Sequence, residues 1–393
     1  MLEPQFQELL SFNDPLSHWR KKSWDRFRDL GSLDTKKEAF QYVSLQDLVL
    51  PRAAKKLPFE KVPSSNYPSR IVFVDGFFSL EHSLFPETVV CLPLDEALRS
   101  YGVFLQNRMT KTIKEEEDPF AALNGAFQGE GAFLYIPPKT VLEHPIHVEY
   151  FFTGSEMTTP RLMLYLGKQS KLQVLQHWHT EIEEPSFANA HIDAALDEGA
   201  DLSFKTVHRQ APKTHLFQAL RATLKRDSRF TAHLYSEGAK MTRHSMKVQL
   251  LEENAQALLQ GLTHLDGQNQ SHIHALVEHL APNTRSRQHF KAMLQKNSVS
   301  SFEGKIYVHA VAQKTESYQL SNNLLLSDEA FAYAKPNLEI FADDVKASHG
   351  ATVSQLDEEA LFYLCSRGVP KEEAKQCLIR SFIQELEGCL PER

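Results

Sequence analysis

Residues 337–367, NLEIFADDVKASHGATVSQLDEEALFYLCSR, pass from one kind of structure to another within a single run. Leu338, Ile340 and Ala342 alternate with polar or outward neighbours, the two-residue period of a strand. Asp343 and Asp344 follow. Ser348-His349-Gly350 then reads as a tight polar turn, because glycine accepts positive φ. Ser354 and Asp357 stand at capping-box spacing ahead of an apolar run, which predicts a helix start. That helix is expected to end at Gly368, a left-handed cap position. Pro370 suits the first turn of a second helix, Lys371 to Glu387. On it Ala374, Cys377, Leu378, Phe382 and Leu386 make an apolar stripe, widened by Ile379 and Ile383. The stretch therefore reads as the end of a β domain and the start of a helical one.

Upstream, from about residue 130, short alternating segments dominate: Ala132 to Ile136, His147 to Phe151, Leu162 to Leu166, Leu172 to Leu175 and Leu202 to Val207. Phe230-Ala232-Leu234, Ile273-Ala275-Val277 and Ile306-Val308-Ala310 continue the pattern. No amphipathic helix of ten residues or more is expected before about residue 352. Gly167, Gly199, Gly238, Gly267 and Gly304 are placed at turns, at uneven intervals that suggest irregular coils. A β-solenoid and a large sandwich both bury so many short strands, and the pattern leaves both open.

Residues 1 to about 50 read as helical. Trp19, Trp24, Phe27 and Leu30 form an amphipathic face closed by Gly31, and a second piece runs from Lys36 to Leu50. The proline-rich stretch 51–69 predicts a linker or irregular crossing. Arg70 to Val74 reads as a strand and Glu96 to Gln106 as a helix. The acidic run Glu115-Glu116-Glu117-Asp118 is expected to cap a helix over Phe120–Asn124 and to present a solvated face.

The length, 393 residues, suggests two or three domains. A content of 42% hydrophobic and 24% charged residues describes an ordinary globular chain, and a net charge of −7 argues against nucleic acid or anionic membrane as partner. No apolar run approaches the ~20 residues of a membrane helix. The start, MLEPQFQELLSF, lacks a basic segment followed by an apolar core, so a cytoplasmic protein is expected. Four cysteines (Cys91, Cys365, Cys377, Cys389), none spaced as CxxC, fit a reducing compartment and read as buried small hydrophobes.

Two H-x-H pairs, His177-Trp178-His179 and His272-Ile273-His274, the latter with Glu278 in phase, could share a strand face and hold a metal. A cupin-like, metal-dependent enzyme would use His177, His179 and Glu183. The glycine expected before the first histidine and the second downstream motif of that family are both missing. Outward polar strand faces are the expected role. No nucleophile elbow, P-loop or dinucleotide-binding glycine motif is present, so no enzymatic activity is expected. His349 differs in having small neighbours that leave its imidazole accessible for metal binding or proton relay.

The run ADDVKASHGATVSQLDEEALFYLCSRGV resembles the carboxy-terminal signature of the SufB/SufD family, scaffold proteins of the Suf iron–sulfur cluster assembly system. KIYVHAVAQKTESYQLSNNLLLSDEAFAYAKPNLEI is similar to that family's last β coils, and DPFAALNGAFQGEGAFLYIPPKTVLEHPIHV to the SufD entry into them. EAFQYVSLQDL resembles a further amino-terminal family segment. The chain length and the DPFAALNGAF segment favour the SufD branch.

The resemblance implies a mainly β fold: a right-handed parallel β-helix core over 126–350, an amino-terminal helical and mixed domain over 1–125, and a carboxy-terminal helical ATPase-docking domain over 351–393. It implies a non-catalytic scaffold in a SufBCD-type complex, pairing with a SufB-like paralogue and carrying a SufC-like ABC ATPase, and leaves open whether the isolated chain forms a homodimer. No permanent cofactor is implied, only a transient iron–sulfur cluster at the partner interface. His349 is the candidate metal ligand there, with Ser348, Gly350, Asp343 and Asp344 around it. Leu361, Phe362, Tyr363, Arg367, Leu378 and Phe382 are the implied ATPase-docking residues. Where the family motif commonly has cysteine two residues before the histidine, this chain has Ala347, so no thiolate comes from that position.

Overall fold

Past residue 130, every second side chain is apolar, small or a neutral hydrogen-bonding group, and the chain answers by coiling. The computed structural model describes all residues except 1, 12–13, 32–39, 44, 46–47, 49, 51, 56–61, 64, 155, 181–184, 210–212 and 392–393. The amino-terminal part holds α1 (Leu2–Leu10), α2 (Ser17–Asp29), β1 (Arg70–Val74), β2 (Phe77–Leu84), β3 (Val90–Pro93), α3 (Leu94–Ser100), α4 (Gly102–Glu115) and α5 (Pro119–Phe127). Coiling begins with β4 (Ala132–Ile136), β5 (Ile146–Phe152), β6 (Met157–Thr158), β7 (Arg161–Leu166), β8 (Lys171–Thr180) and β9 (Ser186–Leu196). It continues through β10 (Asp201–His208), β11 (Thr214–Leu224), β12 (Arg229–Glu237), β13 (Met241–Leu250), β14 (Gln256–Leu265) and β15 (Gln270–His279). It closes with β16 (Arg285–Leu294), β17 (Val299–Val308), β18 (Thr315–Leu325), β19 (Phe331–Ile340) and β20 (Val345–Gln355). Two helices follow, α6 (Glu358–Ser366) and α7 (Lys371–Ile383), and then a 3₁₀ turn, Gln384–Cys389.

Successive strands fall alternately into two ten-stranded sheets. One runs β2-β1-β5-β8-β10-β12-β14-β16-β18-β20, and the other β19-β17-β15-β13-β11-β9-β7-β4-β3, with β6 pairing β9. From β5 and β7 onward all pairings are parallel, so the sheets are the two walls of a β-solenoid of about seven turns. The solenoid, rather than a sandwich, is the fold, and helices lie at both ends of the chain.

The coil period sits at the corners. Lys139, Gln169, Gly199, Asp227, Asn254, Asn283 and Lys314 all take positive φ, spaced 27 to 31 residues apart. Gln169 donates its backbone N–H to Glu198, Asp227 to Glu253 and Lys314 to Asp344, tying each corner to the next. Glycine occupies only one of these seven positions, which explains why a glycine count missed the period. Gly304, expected at a turn, lies inside β17, and a Cβ there would overlap the Gln319 amide and the Phe302 ring.

Inward side chains stack in register. Val174, Phe204, Ala232 and Leu259 form one ladder across β8, β10, β12 and β14 within a single large apolar core. A second core, with Phe120, Phe127, Phe187, Phe217 and Met241, seats α2 and α5 on the outer face of the second sheet. Burying each such Phe stabilises by about 1.5–3 kcal/mol. Among the described residues no helix is long and apolar enough to cross a membrane.

Several local expectations change. Glu96–Gln106 is two helices, α3 and α4, broken at Tyr101. Part of Lys36–Leu50 lies outside the described residues; the described part shows only a turn at 40–42. The expected helix over Phe120–Asn124 is the longer α5, with Asp118 as its N-cap. Glu116 and Asp118 are not solvated but buried, because Arg221 and Arg243 reach them from β11 and β13. Asp357, not Ser354, caps α6, accepting from the N–H groups of Glu359 and Ala360. The last helix stops at Ile383 and tightens into the 3₁₀ turn before Glu387. The coil architecture runs to Gln355, beyond the expected boundary at 350.

Candidate functional site at the open end of the solenoid

The strand expected at Leu338–Ala342 is the end of β19, and the turn expected at Ser348-His349-Gly350 is the middle of β20. Small polar residues read as a turn in isolation. In this solenoid they suit a strand whose neighbour supplies the partners, as Asn322 donates to the Thr352 hydroxyl at 2.9 Å. His349 pairs in register with Gln319 on β18, and Gln319 with Gln288 on β16. The apolar ladder Val174–Phe204–Ala232–Leu259 therefore continues as Gln288, Gln319 and His349. Gln319 donates to Gln288 Oε1 at 3.0 Å, and both are buried. His349 is exposed because no further coil covers it. It stands at the mouth of the lumen, at the end of a polar column. Ala347 is two residues earlier on the same face, in register with Ser317.

β19 and β20 terminate the two sheets, and among the described residues each is paired on one side only. Strands of ten and eleven residues thus present unpaired backbone groups side by side. Phe331, Tyr333, Ile340, Phe341 and Val353 are exposed along them, Phe341 to 58%. Tyr42 stacks on Tyr333 with ring centroids 4.5 Å apart. Asp343 and Asp344 are exposed at the corner between the strands, and Asp344 N–H donates to Gln313 Oε1 at 2.9 Å. Long, uncovered apolar edges are pairing surfaces.

Beside this mouth α6 buries none of its residues. Phe362 is 75% and Tyr363 57% exposed, with the Arg367 guanidinium over the Tyr363 ring at 5.3 Å. Leu361 and Leu378 are half-buried. Phe382 instead faces the solenoid, packed in a cluster with Leu262, Met293 and Leu324. Lys291 of β16 fixes that end: Nζ donates to the Phe382 carbonyl at 2.7 Å and to Glu385 at 2.8 Å, and lies over the Phe382 ring. The helical unit is thus tied at its two ends, with a face between that no described residue covers.

The H-x-H pairs occupy different places. His177 and His179 lie on the outer face of β8, with Trp178 turned into the core. His177 is hydrogen-bonded to His147 at 2.9 Å and His179 to Glu149 at 3.2 Å. Glu183 lies outside the described residues. His272 lies on the outward face of β15, alternating with the core residues Ile273 and Ala275, but is buried there. It is held by Ser301 at 2.7 Å and Gln270 at 3.1 Å, while His274 stands 4.0 Å from Glu303. Glu278 is taken by Lys247 at 3.4 Å and Gln249 at 2.7 Å. Among the described residues no three His, Cys, Asp or Glu side chains converge on a metal-sized site. The column behind His349 and the two open edges escaped sequence reading. Gln288 and Gln319 carry no local sign of being stacked, because their contacts are a full coil away.

Two family descriptions match the chain: the SufBD core domain of SUF system FeS cluster assembly over residues 150–382, and the SufBD protein N-terminal region over 8–148. An iron–sulfur cluster assembly SufBD family protein of Synechocystis is 28% identical, covering 96% of this chain and 84% of that one. The SufD of Escherichia coli is 31% identical, over 62% of this chain and 58% of that protein. The SufB of Bacillus subtilis is 24% identical, over 98% and 80%. Solenoid, flanking helices and the match along both regions agree, and the chain belongs to the SufBD family of iron–sulfur cluster assembly proteins.

Proposed function

We propose that the chain is a non-catalytic, SufD-like scaffold whose open solenoid end pairs with a SufB-like paralogue. The observation that carries this is the pair of uncovered edges, β19 and β20, with His349 between them at the lumen mouth. A partner with the same solenoid end would extend both sheets and bury the exposed aromatic and aliphatic side chains. The nascent iron–sulfur cluster is cargo formed at that junction. His349 offers one nitrogen ligand or a proton relay from this side, and with Ala347 in place of the family cysteine the sulfur ligands come from the partner. The exposed face of α6, with Phe362 and Tyr363, receives a SufC-like ATPase. Nucleotide-driven approach of two such ATPases would pull on the scaffold tails and shift the junction between closed and open arrangements.

His349→Ala is the first test. The side chain is exposed on a strand held by its backbone, so folding and complex formation are expected to be unchanged. Cluster transfer from the co-expressed complex to an apo-ferredoxin-type acceptor should fall at least tenfold. Transfer at the wild-type rate would remove the role given to His349.

A further inference from the structure

The outer face of β7, β9, β11 and β13 is covered by the amino-terminal helices, and charge is buried at this contact. Arg221 is paired with Glu116 at 2.9 and 2.6 Å, Arg243 with Asp118 at 2.6 Å, and the half-buried Arg108 with Asp193. Arg161 is the exception. It is 3% exposed, its Nη1 donates to the neutral Asn124 Oδ1 at 3.1 Å, and its Nε has no partner among the described residues. Among the described residues no carboxylate makes an ion pair with it. Four guanidinium groups and three carboxylates leave one buried positive charge.

His191 is the register partner of Arg161 on the adjacent strand and shares its face. It is 1% exposed, and among the described residues neither ring nitrogen has a hydrogen-bond partner. Burial, with Arg161, Arg221 and Arg108 nearby, pushes its pKa far down, so the imidazole is neutral and offers one N–H. Asp193 and Glu116 act on Arg161 from nearby, but they are hydrogen-bonded to other guanidinium groups, Asp193 to Arg108 and Glu116 to Arg221. A buried cation without a directly paired carboxylate and a buried imidazole with both nitrogens idle are each costly. Standing side by side, they offer hydrogen-bond donors toward one another's space.

We propose that a single monovalent anion of halide size sits between the Arg161 guanidinium and the His191 ring, beneath α5. It accepts from Arg161 Nε and from a His191 N–H and completes the charge balance between helical domain and solenoid. A water molecule would accept the same hydrogen bonds but leave the charge uncompensated.

Crystals of the full chain grown in sodium bromide test the site directly. An anomalous bromide peak within hydrogen-bonding distance of Arg161 and His191 is expected. In solution, replacing chloride by gluconate at constant ionic strength should lower the melting temperature of the wild-type chain, and restoring chloride should raise it in proportion to log concentration. Arg161→Gln should abolish that dependence. Because the wild-type chain carries its own readout, a poorly folding variant does not blunt the test. Absence of the bromide peak, or a wild-type melting temperature indifferent to halide, overturns the proposal.

Discussion

Asp118→Ala is expected to destabilise the chain by about 4 kcal/mol, the cost of leaving a buried Arg243 unpaired together with a lost helix cap. Asp118 does two jobs with two oxygens. Oδ1 accepts from the Phe120 N–H at 2.9 Å to start α5, and Oδ2 takes Arg243 at 2.6 Å. The Arg243 guanidinium in turn lies over the Phe40 ring at 4.4 Å, so the pair fastens both chain segments to β13. Burial alone would raise the Asp118 pKa; Arg243 and Arg221 overcome it and hold the carboxyl well below its usual range. Asp118→Asn keeps the cap geometry and removes the charge, so it should retain part of the stability. Denaturant midpoints of the three proteins measure both steps. A shift of less than about 1 kcal/mol for the alanine variant would contradict the assigned role, since even the cap is worth that much.

Acid should unfold the solenoid above the pH at which ordinary carboxylates titrate. His244, His272 and His279 are pushed down to about 3, in each case by burial first, with Arg243 adding to the effect on His244 and His272. His191 and His208 are also driven far down by burial. These groups are neutral in the fold and take a proton near pH 6.5 once unfolded. Their contribution is therefore fully present above about pH 6.5 and is lost as the pH falls toward the folded values. Each group costs about 1.4 kcal/mol by pH 5.5, so the three with values near 3 remove about 4 kcal/mol, and His191 and His208 add to it. Against a typical stability of about 5–15 kcal/mol this places the acid transition near pH 5. Circular dichroism between pH 8 and 4 measures it, and stability unchanged down to pH 4.5 would show that these histidines are not buried neutral.

Alternation revealed a mainly β chain, family resemblance chose the solenoid over the sandwich, and the strands with apolar inward faces, such as Leu202 to Val207, were readable. Those lined by Gln288, Gln319, Ser286 or Ser317 were not, because their side chains are satisfied by the coil above and below. Gln319 is meaningless as a core residue until Gln288 is known to lie one coil away. The same blindness turned the His349 strand into a turn and the Glu116–Asp118 run into a solvated face: partners one coil away decide the first, and partners more than a hundred residues away the second. The αL corners were hidden for another reason, since Asp, Asn, Lys and Gln occupy positions where glycine was sought. His349 itself was legible, but through family resemblance rather than through the chemistry of its neighbours.

The central claim is that the open end of this solenoid is completed by a SufB-like paralogue while α6 carries the ATPase. Native mass spectrometry of the chain co-expressed with SufB-like and SufC-like partners tests it most directly. The expected assembly holds one copy of this chain, one paralogue and two ATPases. Phe362→Glu with Tyr363→Glu should lose one ATPase and keep the paralogue, because α6 buries no residue of its own. Charges placed at Phe341 and Val353 should lose the paralogue and keep the ATPase. A chain that ignores the paralogue, or that binds the ATPase equally well with both α6 substitutions, would contradict the account.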